Sequence, residues 1–201
     1  MPGAGKTIIT SIVVKHILDQ FHDDPSVSIA YMYCDSRRQH EQRALDLMIN
    51  LLKQLVMKQS SVPAAVKDLH DKHKKKQSRP LLDEIRRVIH QVMHAYSRTF
   101  IVIDALDECG ATQDGRDLFL QEIFNLQASF QVNIFVTSRY IPEIEVQFDR
   151  ACKLEIRADE TDVQQYLHFM IQNTRFLKSR KDTLQVEIKN RIAKAVHGMY
   201  V

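Results

Sequence analysis

The chain has 201 residues, 44% of them apolar and 26% charged, the balance of one globular domain with a partial extension. Lysine and arginine number 28 against 25 aspartates and glutamates, a net charge of +3, too small and too scattered to call for a nucleic-acid partner. No apolar run nears the ~18 residues of a membrane-spanning helix, and the three cysteines, Cys34, Cys109 and Cys152, lack metal or disulfide spacing, the usage of a reduced, cytoplasmic setting.

In chain order, Ile8, Ile9, Ile12, Val13, Ile17 and Leu18 recur every three or four residues and predict a helix from Thr7 to Phe21, stopped by Asp23-Asp24-Pro25. Ser28 to Cys34 reads as a strand buried on at least one face, and a long helix follows from about Gln39 to Met57 with Leu45, Met48, Ile49, Leu52 and Leu55 on its apolar side. The basic stretch His70 to Pro80 reads as a solvated helix end and loop. Leu81 to Tyr96 resumes as an amphipathic helix. Thr99 to Asp104 is a nearly unbroken apolar run closed by an acid, the pattern of a strand covered on both faces. Helix Leu118 to Ala128 and a buried strand Val132 to Thr137 come next, then a weaker strand Ala151 to Ile156 and helices Thr161 to Asn173 and Thr183 to His197. Strands alternating with helical connections predict an α/β fold with a mainly parallel sheet, whose ligands gather at the carboxyl ends of the strands.

Glycine is scarce, five in the whole chain, yet two of the five are Gly3 and Gly5. Gly5-Lys6-Thr7 supplies the second half of a G-x-x-x-x-G-K-[ST] phosphate loop, directly ahead of a helical pattern. Gly3, Ala4 and Gly5 would turn backbone N–H groups into one concavity, Lys6 would reach the β/γ-phosphates, and the Thr7 hydroxyl would ligate Mg²⁺. The competing reading is a flexible start followed by an ordinary helix entry. Counting back five from Gly5 puts the first motif glycine before Met1, and no strand precedes the loop. A fragment lacking the first strand of a phosphate-loop fold, truncated at both ends, is therefore expected.

Phe100-Ile101-Val102-Ile103-Asp104 has the form of a strand whose terminal carboxylate holds Mg²⁺ beside such a loop. Asp107 and Glu108 follow just past the strand end, where they would orient or deprotonate an attacking water. Their alternative is a polar turn after a buried strand. Val132 to Thr137 leads into Ser138-Arg139, and Arg139 would approach the γ-phosphate as its sensor. A structural arginine paired with a surface carboxylate fits the same spacing.

In order and spacing, these segments, together with Tyr31-Met32-Tyr33-Cys34-Asp35, resemble the NACHT domains of the STAND class of P-loop NTPases, most closely the fungal nephrocystin-3-like N-terminal type often found ahead of ankyrin repeats. The resemblance implies a three-layer α/β/α P-loop NTPase core over 1–158 and the start of a helical extension over 159–201. It implies an ATP or GTP switch with Mg²⁺ and slow hydrolysis, the loop at Gly3 to Thr7, metal ligands Thr7 and Asp104, catalytic acids Asp107 and Glu108, and a sensor at Arg139. Self-association or adaptor proteins are the implied partners. The alternative expectation is a truncated, non-catalytic module with a structural or interaction role. The nine histidines are dispersed, and the three cysteines read as buried small apolar residues rather than nucleophiles.

Overall fold

The computed structural model describes residues 5–110, 112–156, 160–174 and 182–196. It divides into a unit spanning Lys6–Glu145 and a second made of Val146–Val201 with Met1–Gly5. The larger unit is α/β. Its strands β1 (Val27–Tyr33), β2 (Arg98–Asp104) and β3 (Val132–Val136) form a parallel sheet in the order β1-β2-β3. Register runs from Val27 opposite Arg98 to Tyr33 opposite Asp104 on one side of β2, and from Thr99 opposite Val132 to Ile103 opposite Val136 on the other. Parallel neighbours need long crossovers, and the sequence supplies them as helices: α2 (Ala44–Met57), α3 (Ala64–Lys76) and α4 (Leu82–Met93) between β1 and β2, and α5 (Gln113–Ser129) between β2 and β3.

Alternation along β2 sends its side chains to two different cores. Phe100 and Val102 point toward α1 (Lys6–Gln20), where Val14 and Ile17 pack on Val102 with Phe21, Ile29 and Phe135 around them. Thr99 points the other way, its hydroxyl 3.7 Å from the Met93 sulfur at the end of α4. Ile101, Val102 and Ile103 are wholly buried, as the apolar run predicts, and each contributes ~1.5–3 kcal/mol of burial. The outer edge of β1 is closed by a side chain: Gln54 accepts from the Tyr31 amide at 2.9 Å and donates to the Tyr31 carbonyl at 2.8 Å, standing in for a further strand.

Several boundaries differ from the sequence reading. The helix expected from Gln39 starts at Ala44, because Ser36–Glu41 is a 3₁₀ segment interrupted at Arg38, where ψ is 21°. Asp35 stops an earlier start by accepting from the Arg37 amide at 2.9 Å. A full helix, α3, precedes and includes most of the basic stretch, though none of its residues is buried. Helix α5 begins five residues before the expected Leu118, since Thr112 caps it. Strand β3 is not a buried strand throughout: Val132 is buried, Asn133 exposed and the rest half-buried. The expected strand at Ala151 to Ile156 is irregular, with Leu154 84% exposed. Its alternating Cys152, Leu154 and Ile156 have no ladder partner among the described residues, and a lone strand is not stable. A short helix, α6 (Pro142–Gln147), was not anticipated, while α7 (Glu160–Asn173) and α8 (Asp182–Val196) fall close to the expected helices of the second unit.

Charge fastens α3 to α4. Glu84 accepts from the Leu81 amide at 2.8 Å, from Lys72 at 2.5 Å and from His73 Nε2 at 2.9 Å. The Leu81 amide, then Lys72 and His73, outweigh its partial burial and hold its carboxyl down at about 2. A depressed carboxyl stabilises the fold above the unfolded value of ~4.3 and loses that contribution as pH falls toward its folded value. We expect stability to decline between about pH 4 and pH 2, with Glu84→Gln flattening that part of the profile; denaturation midpoints across the range check it.

Candidate functional site

The carboxyl end of β2 carries Asp104, and its surroundings come from three elements. Thr7 and Thr10 sit one helical turn apart on the first two turns of α1, so both hydroxyls face the sheet from the same side. Thr7 Oγ1 donates to Asp104 Oδ2 at 2.6 Å, and Thr10 Oγ1 donates to Oδ1 at 2.7 Å. From the end of β3, Thr137 Oγ1 donates to Oδ1 at 2.7 Å while accepting from the Ala105 amide at 3.0 Å. Asp104 is 3% exposed. A carboxylate so buried is tolerated only when its oxygens are supplied with donors, and here three threonine hydroxyls supply them.

The turn after β2 is pinned at each step. Thr137 receives the Leu106 amide on its carbonyl at 2.8 Å, and its own amide returns to the Ile103 carbonyl at 2.9 Å. Ala105 is forced to φ 53°, a left-handed conformation that costs a residue with a Cβ about 1 kcal/mol or more. That bend throws Leu106 into the core and presents Asp107 and Glu108 in the 3₁₀ turn Leu106–Glu108.

Arg139 gathers those two acids. Its amide donates to Asp107 Oδ1 at 3.0 Å, its Nε donates to Oδ2, and its Nη2 donates to Glu108 Oε1 at 3.1 Å. Glu108 Oε2 also accepts from the Ser36 amide at 3.2 Å, tying in the segment after β1. Burial pushes the Asp107 carboxyl up, but the Arg139 side chain and amide outweigh it and hold the group below the usual range. The Asp107 side chain is 1% exposed and Arg139 42%.

The residues singled out in the sequence are thus placed as follows. Gly3 and Ala4 lie outside the described residues. Gly5 has φ +80° with open space where a Cβ would stand, so glycine is favoured there for backbone shape alone. Lys6 is the first residue of α1 and Thr7 the second. Thr7 meets Asp104 although 97 residues separate them. Asp107, Glu108 and Arg139 form one ion-paired group. Thr10 and Thr137 were missed as site residues. Neither stands out in the sequence alone: Thr10 follows Thr7 at i+3 on a helix, and Thr137 lies just past the strand beside Asp104's own.

Thr7 and Asp104 offer hard oxygen donors, the chemistry that suits Mg²⁺. Among the described residues no three His, Cys, Asp or Glu side chains cluster closely enough to hold a metal. A cation here would accordingly need phosphate and water oxygens to complete its shell. Of the cysteines, Cys34 and Cys109 are buried as expected, but Cys152 is exposed. A hydrogen bond with the Cys109 thiol, then burial, pushes the Cys34 thiol up, the opposite of an activated nucleophile. No helix among the described residues is long and apolar enough to cross a membrane.

Residues 1–139 match the family model described as Nephrocystin 3, N-terminal. No curated protein matches the chain.

Proposed function

The chain belongs to the nephrocystin 3 N-terminal family, and from that premise we propose that it is a nucleotide-binding switch module of the NACHT, or STAND P-loop NTPase, kind. The observation that carries the reading is the 2.6 Å hydrogen bond between Thr7 at the amino end of α1 and Asp104 at the carboxyl end of β2. Those two ends are where a parallel α/β sheet receives anions and their counter-cations. In this reading Lys6 supplies a compact positive charge to the phosphates, and Thr7 and Asp104 hold Mg²⁺. The bound Mg²⁺ would neutralise developing phosphate charge. Thr10 and Thr137 fix the Asp104 carboxylate so that Oδ2 faces Thr7. Glu108, the more exposed of the two following acids, orients water for slow hydrolysis of ATP or GTP. Arg139 changes partners with γ-phosphate occupancy, leaving Asp107 for the phosphate and so moving the Ser36 segment that Glu108 holds. Self-association or an adaptor protein reads out that movement.

A non-catalytic role has one observation in its favour: Arg139 is already engaged by Asp107 and Glu108, which makes this trio a structural clasp without any nucleotide. Thermal unfolding of the 201-residue chain with Mg-ATP and with Mg-GTP separates the two. Ligand at a hundredfold its Kd stabilises a folded protein by about 2.7 kcal/mol, and Lys6→Ala should abolish the shift. A chain that shifts with neither nucleotide, or a Lys6→Ala variant that shifts as fully as the parent, overturns the nucleotide reading.

A further inference from the structure

Just past the sheet, the chain leaving β1 and the chain leaving β2 are tied to each other. Beyond the register pair Tyr33–Asp104, the Cys34 amide donates to the Asp104 carbonyl at 3.1 Å. Two residues on, the Ser36 amide donates to Glu108 Oε2 at 3.2 Å. The turn that carries Glu108 is closed behind it by the Cys109 amide, which donates to the Leu106 carbonyl at 3.1 Å. These ties bring together two cysteines that lie far apart in the chain, and the thiols of Cys34 and Cys109 meet in a hydrogen bond. Both are buried, whereas Cys152 is exposed.

Small apolar packing accounts for the burial of a cysteine. It does not account for two thiols meeting where the segment after β1 touches the turn after β2. Thiols in hydrogen-bond contact have little distance to close before they reach a disulfide, whose Cβ atoms stand about 3.5–4.5 Å apart. An oxidant also has a way in. Cys109 lines a cavity of about 290 Å³ together with Asp107, Gly110 and Thr112, many times the ~30 Å³ that a water occupies.

We propose that Cys34 and Cys109 form a site of oxidative modification, closing a reversible disulfide in response to a peroxide. Cys109 reacts first, from the cavity side: its sulfur takes one peroxide oxygen, the O–O bond breaks and water leaves, giving a sulfenic acid. The Cys34 sulfur then attacks that sulfur, the S–OH bond breaks, and a second water carries off the Cys34 proton. Two thiols and one hydrogen peroxide become one disulfide and two waters, with two electrons passing from sulfur to oxygen. Because Cys34 traps the sulfenic acid, a second peroxide does not carry it on to the irreversible sulfinic acid. The Cys109 hydrogen bond, burial and the nearby Asp104 and Asp107 charges hold Cys34 as a thiol, so the reaction is slow and the pair answers sustained oxidant.

The bond has a consequence for the candidate site. Cys34 lies two residues before Ser36, and Cys109 directly follows Glu108. The covalent link therefore backs the exposed Ser36–Glu108 hydrogen bond and closes the segment after β1 onto the turn that carries Asp107 and Glu108. No nucleotide takes part, and none is present in the test.

The 201-residue chain carrying Cys152→Ser, which removes the exposed thiol, is held for hours in millimolar hydrogen peroxide and then treated with dithiothreitol. A non-reducing digest should yield one peptide pair joined through Cys34 and Cys109, separated again by dithiothreitol. By ¹H–¹⁵N NMR the Ser36 amide should exchange with solvent about tenfold more slowly in the oxidised chain, and dithiothreitol should restore the original rate, which distinguishes the disulfide from methionine oxidation. In Cys34→Ala the untrapped Cys109 should instead gain two oxygens, about 32 Da on its peptide. Since Cys34 is buried, the linked peptide from the unaltered pair is read independently of how that variant folds. Two free thiols after oxidation, or sulfinic acid at either cysteine without a link, overturn the proposal. So does a linked chain whose Ser36 amide exchanges as fast as before.

Discussion

Replacing Asp104 with alanine should destabilise the Lys6–Glu145 unit by about 3 kcal/mol in the absence of any ligand. Thr10 is 0% and Thr137 7% exposed, so neither hydroxyl can turn to water when its acceptor is removed. Each buried donor left unanswered costs about 1–3 kcal/mol. Thr137 retains the Ala105 amide on its oxygen, and Thr7 is exposed, so the penalty falls chiefly on Thr10 and on the Thr137 proton. Removing a buried negative charge gives part of this back, because the desolvation of Asp104 is relieved. Asp104→Asn should cost about half as much, since its amide oxygen still accepts and a threonine hydroxyl can rotate to accept from its NH₂. Urea denaturation reads both variants, with the midpoint falling and the slope unchanged. A loss below about 1 kcal/mol in the alanine variant would show that the hydroxyl cage repacks around the space, and the account of Asp104 as the anchor joining α1, β2 and β3 would fail.

Long-range pairing at this site was legible in the sequence because two strong local patterns fix it. Gly5-Lys6-Thr7 ahead of a helix, and Phe100 to Asp104 as an apolar run with a terminal acid, each say which end of which element carries the polar group. Parallel topology then brings the ends together. What escaped was the packing that no single segment encodes. Thr10 has the polarity of an ordinary surface threonine until α1 lies on β2, and Thr137 becomes a partner of Asp104 only through the Ile103–Val136 register. The apolar pattern of Ala151 to Ile156 misled for the converse reason: alternation describes a strand's faces but cannot supply the neighbour that a strand needs. The sequence shows only the carboxyl-terminal part of helix α3, as a solvated helix end leading into a loop, because its stability does not come from a buried face. It comes from the Lys72–Glu84–His73 clasp to α4 and from basic residues gathered at its carboxyl end, which periodicity does not register.

The second large effect is expected at Arg139. Its Nε and amide neutralise Asp107, whose side chain is 1% exposed, while its Nη2 reaches Glu108. Truncation of one partner of a fully buried pair costs about 3–5 kcal/mol, but Arg139 is 42% exposed and water screens part of its charge. Arg139→Ala should therefore lose about 2 kcal/mol at neutral pH. The pH dependence has a definite sign. In the parent, Asp107 is held below its unfolded value of ~3.9, so its contribution is present above that pH and is lost as pH falls through the depressed folded value. In the variant the side-chain partner is gone and burial remains, so the folded carboxyl moves up and the bare charge is relieved by protonation. The gap between parent and variant should consequently shrink below about pH 4. Arg139→Lys should restore only part of the loss, because an ammonium cannot span Asp107 and Glu108 as the guanidinium fork does. A double-mutant cycle with Asp107→Asn isolates the pair; a coupling under about 0.5 kcal/mol, or a gap that stays constant into acid, would reduce this contact to an ordinary surface ion pair.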